Sequence, residues 1–224
     1  YTAEDMPDID YLLISHDHWD HLDYATATAL RSKVGQVVCP LGVGAHFEAW
    51  GYGKETVFEG DWYSALEGEE GFAIHILPAR HFSGRSLTRN KTLWAGFALV
   101  TPERRIFFSG DSGYGKHFAE IGARFGGFDL AMLDCGQYDE NWRYVHMMPE
   151  DTAQAAEDLR ARALLPGHMG KFAIAYHTWD DPFKRIVAAS RGKPYRLLLP
   201  LLGEPVALPV ASDGELSRWW EAGR

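Results

Sequence analysis

Apolar positions along the chain fall into short runs, and almost every run is closed by a turn signal or an ionisable residue. Ile9 to Ser15 (IDYLLIS) reads as a buried strand that ends on the polar cluster His16-Asp17-His18-Trp19-Asp20-His21. Asp23 then precedes Tyr24 to Leu30, an alanine-rich stretch that predicts a helix with the aspartate as its cap. Gln36 to Cys39, Phe72 to Leu77, Leu93 to Val100 and Arg105 to Ser109 predict further strands bounded by Gly, Pro or charged turns. Helices are expected over Lys116 to Phe125 and Pro149 to Arg162, the second with proline and acidic residues in its first turn. Strands are expected at Asp129 to Leu133 and Ala163 to Leu165, and the tail from Pro194 to Leu208 suggests terminal strands with tight turns. The recurring unit is a strand followed by an ionisable residue: His81, Asp111 and His168 each come shortly after one. No internal repeat or linker divides the chain, so residues 1–224 read as one α/β domain.

Composition narrows the function classes. Hydrophobic residues at 46% and charged residues at 24% describe an ordinary globular protein, which excludes disorder, collagen-like repeats and coiled coil. A net charge of −9 argues against a whole-surface grip on nucleic acid or anionic lipid. The strongest apolar run, Leu197 to Leu202, is far too short for a membrane span and contains Pro200. Two cysteines, Cys39 and Cys135, are expected to be free and partly buried. The first residues show no signal-peptide pattern, so a cytoplasmic rather than secreted location is expected. Histidine is the unusual component, with ten residues, several beside aspartates.

In HDHWDH, His16 and His18 can turn two imidazoles toward one cation while Asp20 and His21 face a second. These residues match HxHxDH, and with LPARHFSGR, FFSGDSGYG and LLPGHMGKF the chain resembles the metallo-β-lactamase superfamily over nearly its whole length. Within it the chain looks most like the N-acylphosphatidylethanolamine-hydrolysing phospholipase D branch, through SHDHWDHLD, RHFSGR, FFSGDSGY, FAEIGARFGGFDLA and VHMMPEDTA. The resemblance implies an αββα sandwich, with one metal held by His16, His18 and His81, the other by Asp20, His21 and His168, and Asp111 bridging them. Several strands normally precede HxHxDH. Here only residues 1–15 do, so some N-terminal strands are expected to be missing. Nitrogen-rich ligation without thiolate favours two zinc ions, with manganese or iron as alternatives. Redox di-iron relatives usually carry glutamate where His18 stands, which favours hydrolysis here.

The reading that follows is a dinuclear zinc hydrolase using a metal-bridging hydroxide, most simply on a phosphodiester such as a phospholipid or small phosphorylated metabolite. A lactonase or other esterase is the alternative chemistry, and a non-catalytic metal-binding scaffold or sensor the alternative class. Asp20 and Asp111 would be the catalytic carboxylates. His146, which corresponds to a histidine of the phospholipase branch, would contact substrate or donate a proton, and Arg85 would offer a planar fork to phosphate. Partners are then a small molecule or a lipid, with peripheral membrane contact but neither nucleic acid nor a membrane span. Asp17 is expected to face solvent, and His46, His75, His117 and His177 to be structural or exposed. Trp19, Phe82, Tyr138 and Trp142 are candidates to wall a pocket, with Lys171 a weaker site candidate, and Trp219-Trp220 would pack on the domain or mark an interface. The stretch Asp134-Cys135-Gly136-Gln137 is more polar than its counterpart in the phospholipase, which weakens transfer of lipid specificity.

Overall fold

The computed structural model describes residues 2–85, 87–209 and 217–222. In chain order the strands and helices are β1 (Ile9–Leu13), α1 (Tyr24–Leu30), β2 (Val34–Pro40), α2 (Gly44–Ala49), β3 (Val57–Gly60), β4 (Ala65–Glu67), β5 (Ala73–Leu77), β6 (Gly96–Val100), β7 (Arg105–Phe108), α3 (His117–Phe125), β8 (Leu130–Asp134), α4 (Pro149–Asp158), β9 (Ala163–Gly167), α5 (Asp181–Ala189) and β10 (Arg196–Leu197). Asp23 caps α1 as expected, its Oδ2 accepting from Thr26 N at 2.7 Å, a contact worth about 1 kcal/mol.

Two sheets form. One is three-stranded and parallel, in the order β1-β2-β3. The other runs β10-β9-β8-β7-β6-β5-β4, parallel from β10 to β7 and antiparallel from β7 to β4. Val38, Ile74, Ile76, Ala95 and Phe97 fill the space between them. On the outside of the small sheet Leu22, Ala27, Val37 and Phe47 pack with α1 and α2, and on the outside of the large sheet Phe107, Phe118, Ile121, Ala156 and Ile186 pack with α3, α4 and α5. The layers are helix, sheet, sheet, helix, the αββα sandwich that the motifs imply. Among the described residues the small sheet has three strands, with β1 at an edge.

Several boundaries differ from the pattern-based expectations. The helix starting at Pro149 stops at Asp158, because Arg160 takes a left-handed conformation (φ 54°) that turns the chain into β9. The strand expected from Leu93 starts at Gly96; Leu93 and Ala95 instead donate to Leu41 and Ser15, tying this segment to the small sheet. In the tail only Arg196–Leu197 is a strand among the described residues. Helices α2 and α5 and strands β3 and β4 carried no clear signal: β4 has three residues, and Asp180-Asp181-Pro182 reads locally as a turn although Pro182 sits in the first turn of α5. Both cysteines are free and fully buried, and burial pushes their thiols up, away from the thiolate a metal would take. Trp220 is buried against Phe183, so it packs on the domain. Among the described residues, no helix is long and apolar enough to cross a membrane.

Candidate metal centre

Strand ends deliver the polar side chains to one rim of the sandwich. The loop after β1 carries His16, His18, Asp20 and His21; His81 follows β5, Asp111 follows β7, Asp134 ends β8, and His168 follows β9. All seven residues of the expected ligand set converge. His16 Nε2 lies 3.0 Å from His18 Nδ1, which lies 3.1 Å from His81 Nε2. Opposite them His168 Nε2 is 3.3 Å from both His21 Nε2 and Asp20 Oδ2. Asp111 Oδ2 stands between the two trios, 3.0 Å from His21 Nε2, 3.6 Å from His168 Nε2 and 3.8 Å from both His16 and His81 Nε2. Ligands bound tetrahedrally at zinc distances sit roughly 3.3 Å apart, so both trios have the spacing of a cation's coordination shell.

The chemistry of the donors agrees with that spacing. Burial holds the imidazole of His16 well below its usual pKa and that of His81 down at about 4, so both are neutral, with lone pairs converging. A cation would satisfy several such lone pairs at once. On the other side burial opposes protonation of His21, but the hydrogen bonds and charges of Asp111 and Asp20 outweigh it and lift its pKa to about 9. His168 is lifted to about 11 by Asp134 and Asp20 against the same burial. Asp20 stays ionised: its hydrogen bonds to His168 and His21 hold its carboxyl far below the usual range despite desolvation. This half of the centre draws in positive charge, which a divalent metal would supply in place of protons.

A layer of partners fixes the rings. His81 Nδ1 donates to Val145 O at 2.9 Å, leaving the lone pair of Nε2 facing the centre. His16 Nδ1 meets Ser15 Oγ at 3.0 Å. Asp134, fully buried, takes the Nδ1–H of His146 at 2.9 Å, while its other oxygen lies 3.5 Å from His168 Nδ1, a buried atom with no closer partner. His146 in turn stacks on His168 with ring centres 5.3 Å apart, and burial is outweighed by the Asp134 charge, so its pKa is raised. Two glycines permit these approaches. A Cβ on Gly113 would stand 2.2 Å from Tyr144 O, and one on Gly136 1.8 Å from His168 O.

Other sequence candidates land differently. Arg85, expected to meet a phosphate, turns its Nη1 onto the carbonyl oxygens of Asp17 and Leu22 and lays its guanidinium 4.0 Å from the centre of the Trp19 ring. Asp17 does not face solvent: it is buried, and its Oδ1 accepts from Gly84 N at 2.7 Å. Phe82 packs on the His18 and His81 rings, whereas Tyr138 stacks on His177. Trp142 Nε1 donates to Gln137 O, on the protein rather than into an open pocket. His117 is within 3.3 Å of Ser112 Oγ, and His46 lies 3.9 Å from Asp17. Trp19 and Lys171 border a groove of about 600 Å³ that starts at Asp20 and His21 and runs over Ile14 and Leu30.

Sequence reasoning missed Asp134 and Gln137. Asp134 obeys the strand-then-ionisable pattern and was open to that reading. Gln137, at φ 57°, is buried and gives no local signal: its Oε1 accepts from Ile174 N at 2.7 Å and Ala175 N at 3.0 Å, and its Nε2 donates to Phe172 O at 2.8 Å. The loop after His168 is wound on that one amide.

Known proteins place this arrangement. Residues 2–169 match the family described as Beta-lactamase superfamily domain. An uncharacterised protein of Mycobacterium tuberculosis is 41% identical over 96% of this chain and 58% of its own length. The mitochondrial N-acyl-phosphatidylethanolamine-hydrolyzing phospholipase D of Saccharomyces cerevisiae is 34% identical over 89% of this chain and 45% of its own. The chain therefore spans about half the length of the curated relatives it matches. Among solved structures, Igni18, a metallo hydrolase of Ignicoccus hospitalis, superposes with a TM-score of 0.64 at 17% identity, covering 86% of this chain and 76% of its own, a likeness of fold.

Proposed function

We propose, from the premise that this chain belongs to the β-lactamase superfamily domain family, that this metal-dependent hydrolase of the metallo-β-lactamase fold carries two zinc ions and cleaves a phosphodiester. The observation that carries the reading is the convergence of seven donors into two trios sharing Asp111 Oδ2. His16, His18 and His81 would hold one ion, and Asp20, His21 and His168 the other, with Asp111 between them. When bound, such a pair supplies Lewis acidity and lowers the pKa of water toward neutrality.

The chain's own residues do the rest. Asp111 and Asp20 hold negative charge against the cations, and Val145 O keeps the proton of His81 on Nδ1. Asp134 holds the Nδ1 proton of His146, leaving Nε2 to carry the proton that a leaving alkoxide needs, and the raised pKa of His146 suits a proton donor at neutral pH. The yeast relative, named as a phospholipase D, supports phosphodiester chemistry, and the groove leading from Asp20 and His21 over Ile14 and Leu30 supports a substrate with an apolar part.

The test is elemental analysis of purified protein followed by parallel assays on bis(p-nitrophenyl) phosphate, an N-acyl phosphatidylethanolamine and a γ-lactone. We expect close to two zinc ions per chain and phosphodiester turnover that a chelator abolishes and zinc restores. Lactone turnover exceeding phosphodiester turnover would select the esterase alternative. Full metal content without turnover on any of the three would select the scaffold.

A further inference from the structure

Arg85 is placed to act on the metal loop rather than on substrate. The segment that supplies His18, Asp20 and His21 leaves the sandwich at Asp17 and returns at Leu22, and the Arg85 Nη1 donates to the carbonyl oxygens of both, at 2.9 Å to Asp17. One guanidinium nitrogen thus closes the two ends of the loop on each other. The same guanidinium lies 4.0 Å from the ring centre of Trp19, which stands between His18 and Asp20, so the middle of the loop is held too. A reciprocal tie runs the other way: Asp17 Oδ1, buried, accepts from Gly84 N at 2.7 Å. Gly84 and Arg85 follow His81 by three and four residues, so both ties join the loop of His81 to the loop of His18. The result is visible at the centre, where His81 Nε2 and His18 Nδ1 stand 3.1 Å apart although 63 residues separate them.

We propose that Arg85 and Asp17 are positioning residues that lock the HxHxDH loop against the His81 loop and thereby set the geometry of the three-imidazole half of the metal centre. The inference rests on the metal-binding reading above. Lysine cannot replace the arginine fully, because a single ammonium on a flexible stem lacks the planar face that lies over Trp19. Asparagine in place of Asp17 keeps an oxygen that can accept from Gly84 N, whereas alanine does not.

The experiment compares wild type with Arg85→Gln, Arg85→Lys, Asp17→Ala and Asp17→Asn, each checked for folding by far-UV circular dichroism. Three readouts are taken: release of zinc to a chromogenic chelator, the visible spectrum of the cobalt-substituted protein, and kcat and KM on a charged phosphodiester and an uncharged ester with the same leaving group. We expect Arg85→Gln and Asp17→Ala to release zinc about tenfold faster or more, the usual cost of losing a partner that orients ligands. The cobalt spectrum should shift, kcat should fall by the same factor on both substrates, and KM should stay near wild type. Arg85→Lys should fall between, and Asp17→Asn should recover most of the loss of Asp17→Ala. Wild-type zinc release and cobalt spectrum in variants that lose only phosphodiester turnover, through KM, would overturn the proposal and make Arg85 a substrate contact. If Arg85→Gln fails to fold, Arg85→Lys and Asp17→Asn decide by the same criteria. Wild-type protein that takes up no zinc would sink the metal reading itself, whereas zinc held equally by wild type and all variants would sink the lock alone.

Discussion

The two trios that meet at Asp111 are close in space and opposite in electrostatics. His16, His18 and His81 form a pocket of neutral imidazoles in which burial dominates and pKa values fall. Asp20, His21 and His168 form a pocket in which carboxylates outweigh burial and histidine pKa values rise. The first presents lone pairs and little charge, the second presents charge that demands a counter-ion. One fold rim therefore builds two environments from almost the same residue types, and what distinguishes them is the number of carboxylates within reach.

The largest expected effect comes from erasing what the two trios share. Asp111→Asn keeps most of the side-chain volume but removes the charge that both halves face, and turnover should fall by several kcal/mol in barrier, about a thousandfold, while circular dichroism stays native. Near-normal turnover with full metal content would show that the halves do not depend on a common carboxylate.

A smaller effect should fall on one side only. Asp134 bonds His146 and faces His168 but touches none of the three-imidazole trio, so Asp134→Asn should weaken the metal at the carboxylate side about tenfold to a hundredfold. Stepwise chelator titration should show one of two metals released early. Equal weakening of both would mean that the two environments are one coupled site.

A third effect is in the pH dependence of the metal-free protein. His81 folds with a pKa near 4 against an ordinary 6.5, so the unfolded chain binds its proton first and stability falls as pH drops from about 6.5 to 4. His21 folds with a pKa near 9, so its contribution is full below about pH 6.5 and is lost as pH rises through about 9. Thermal denaturation of metal-free protein should therefore decline on both limbs, and zinc, replacing the proton of His21, should flatten the alkaline one. An alkaline limb unchanged by zinc would argue that His21 does not exchange its proton for metal.

Much of this centre was legible in the sequence because strand ends are local events. An apolar run followed by His or Asp marks a side chain delivered to the sheet's rim, and HxHxDH packs four of the seven into six residues. The same logic gave β1, β2, β5, β7, β8 and β9 to within a few residues. Asp17 was misread, and the hold of Arg85 on the HxHxDH loop was not foreseen, because their partners are Gly84 and Leu22, more than sixty residues away, and no local pattern reports a contact made only after two sheets have packed. Helix α5 and strand β4 escaped for a related reason, as their burial is decided by neighbours rather than by their own periodicity.

The loop wound on Gln137 has a consequence for ligand entropy. Phe172, Ile174 and Tyr176 stand 47%, 59% and 89% exposed just beyond His168, which in an unanchored loop would mean freezing several residues on binding at roughly 1–2 kcal/mol each. Because one buried amide already orders Phe172, Ile174 and Ala175 through three hydrogen bonds, that backbone cost is met when the chain folds. Whatever meets these side chains then has only their rotamers left to restrict.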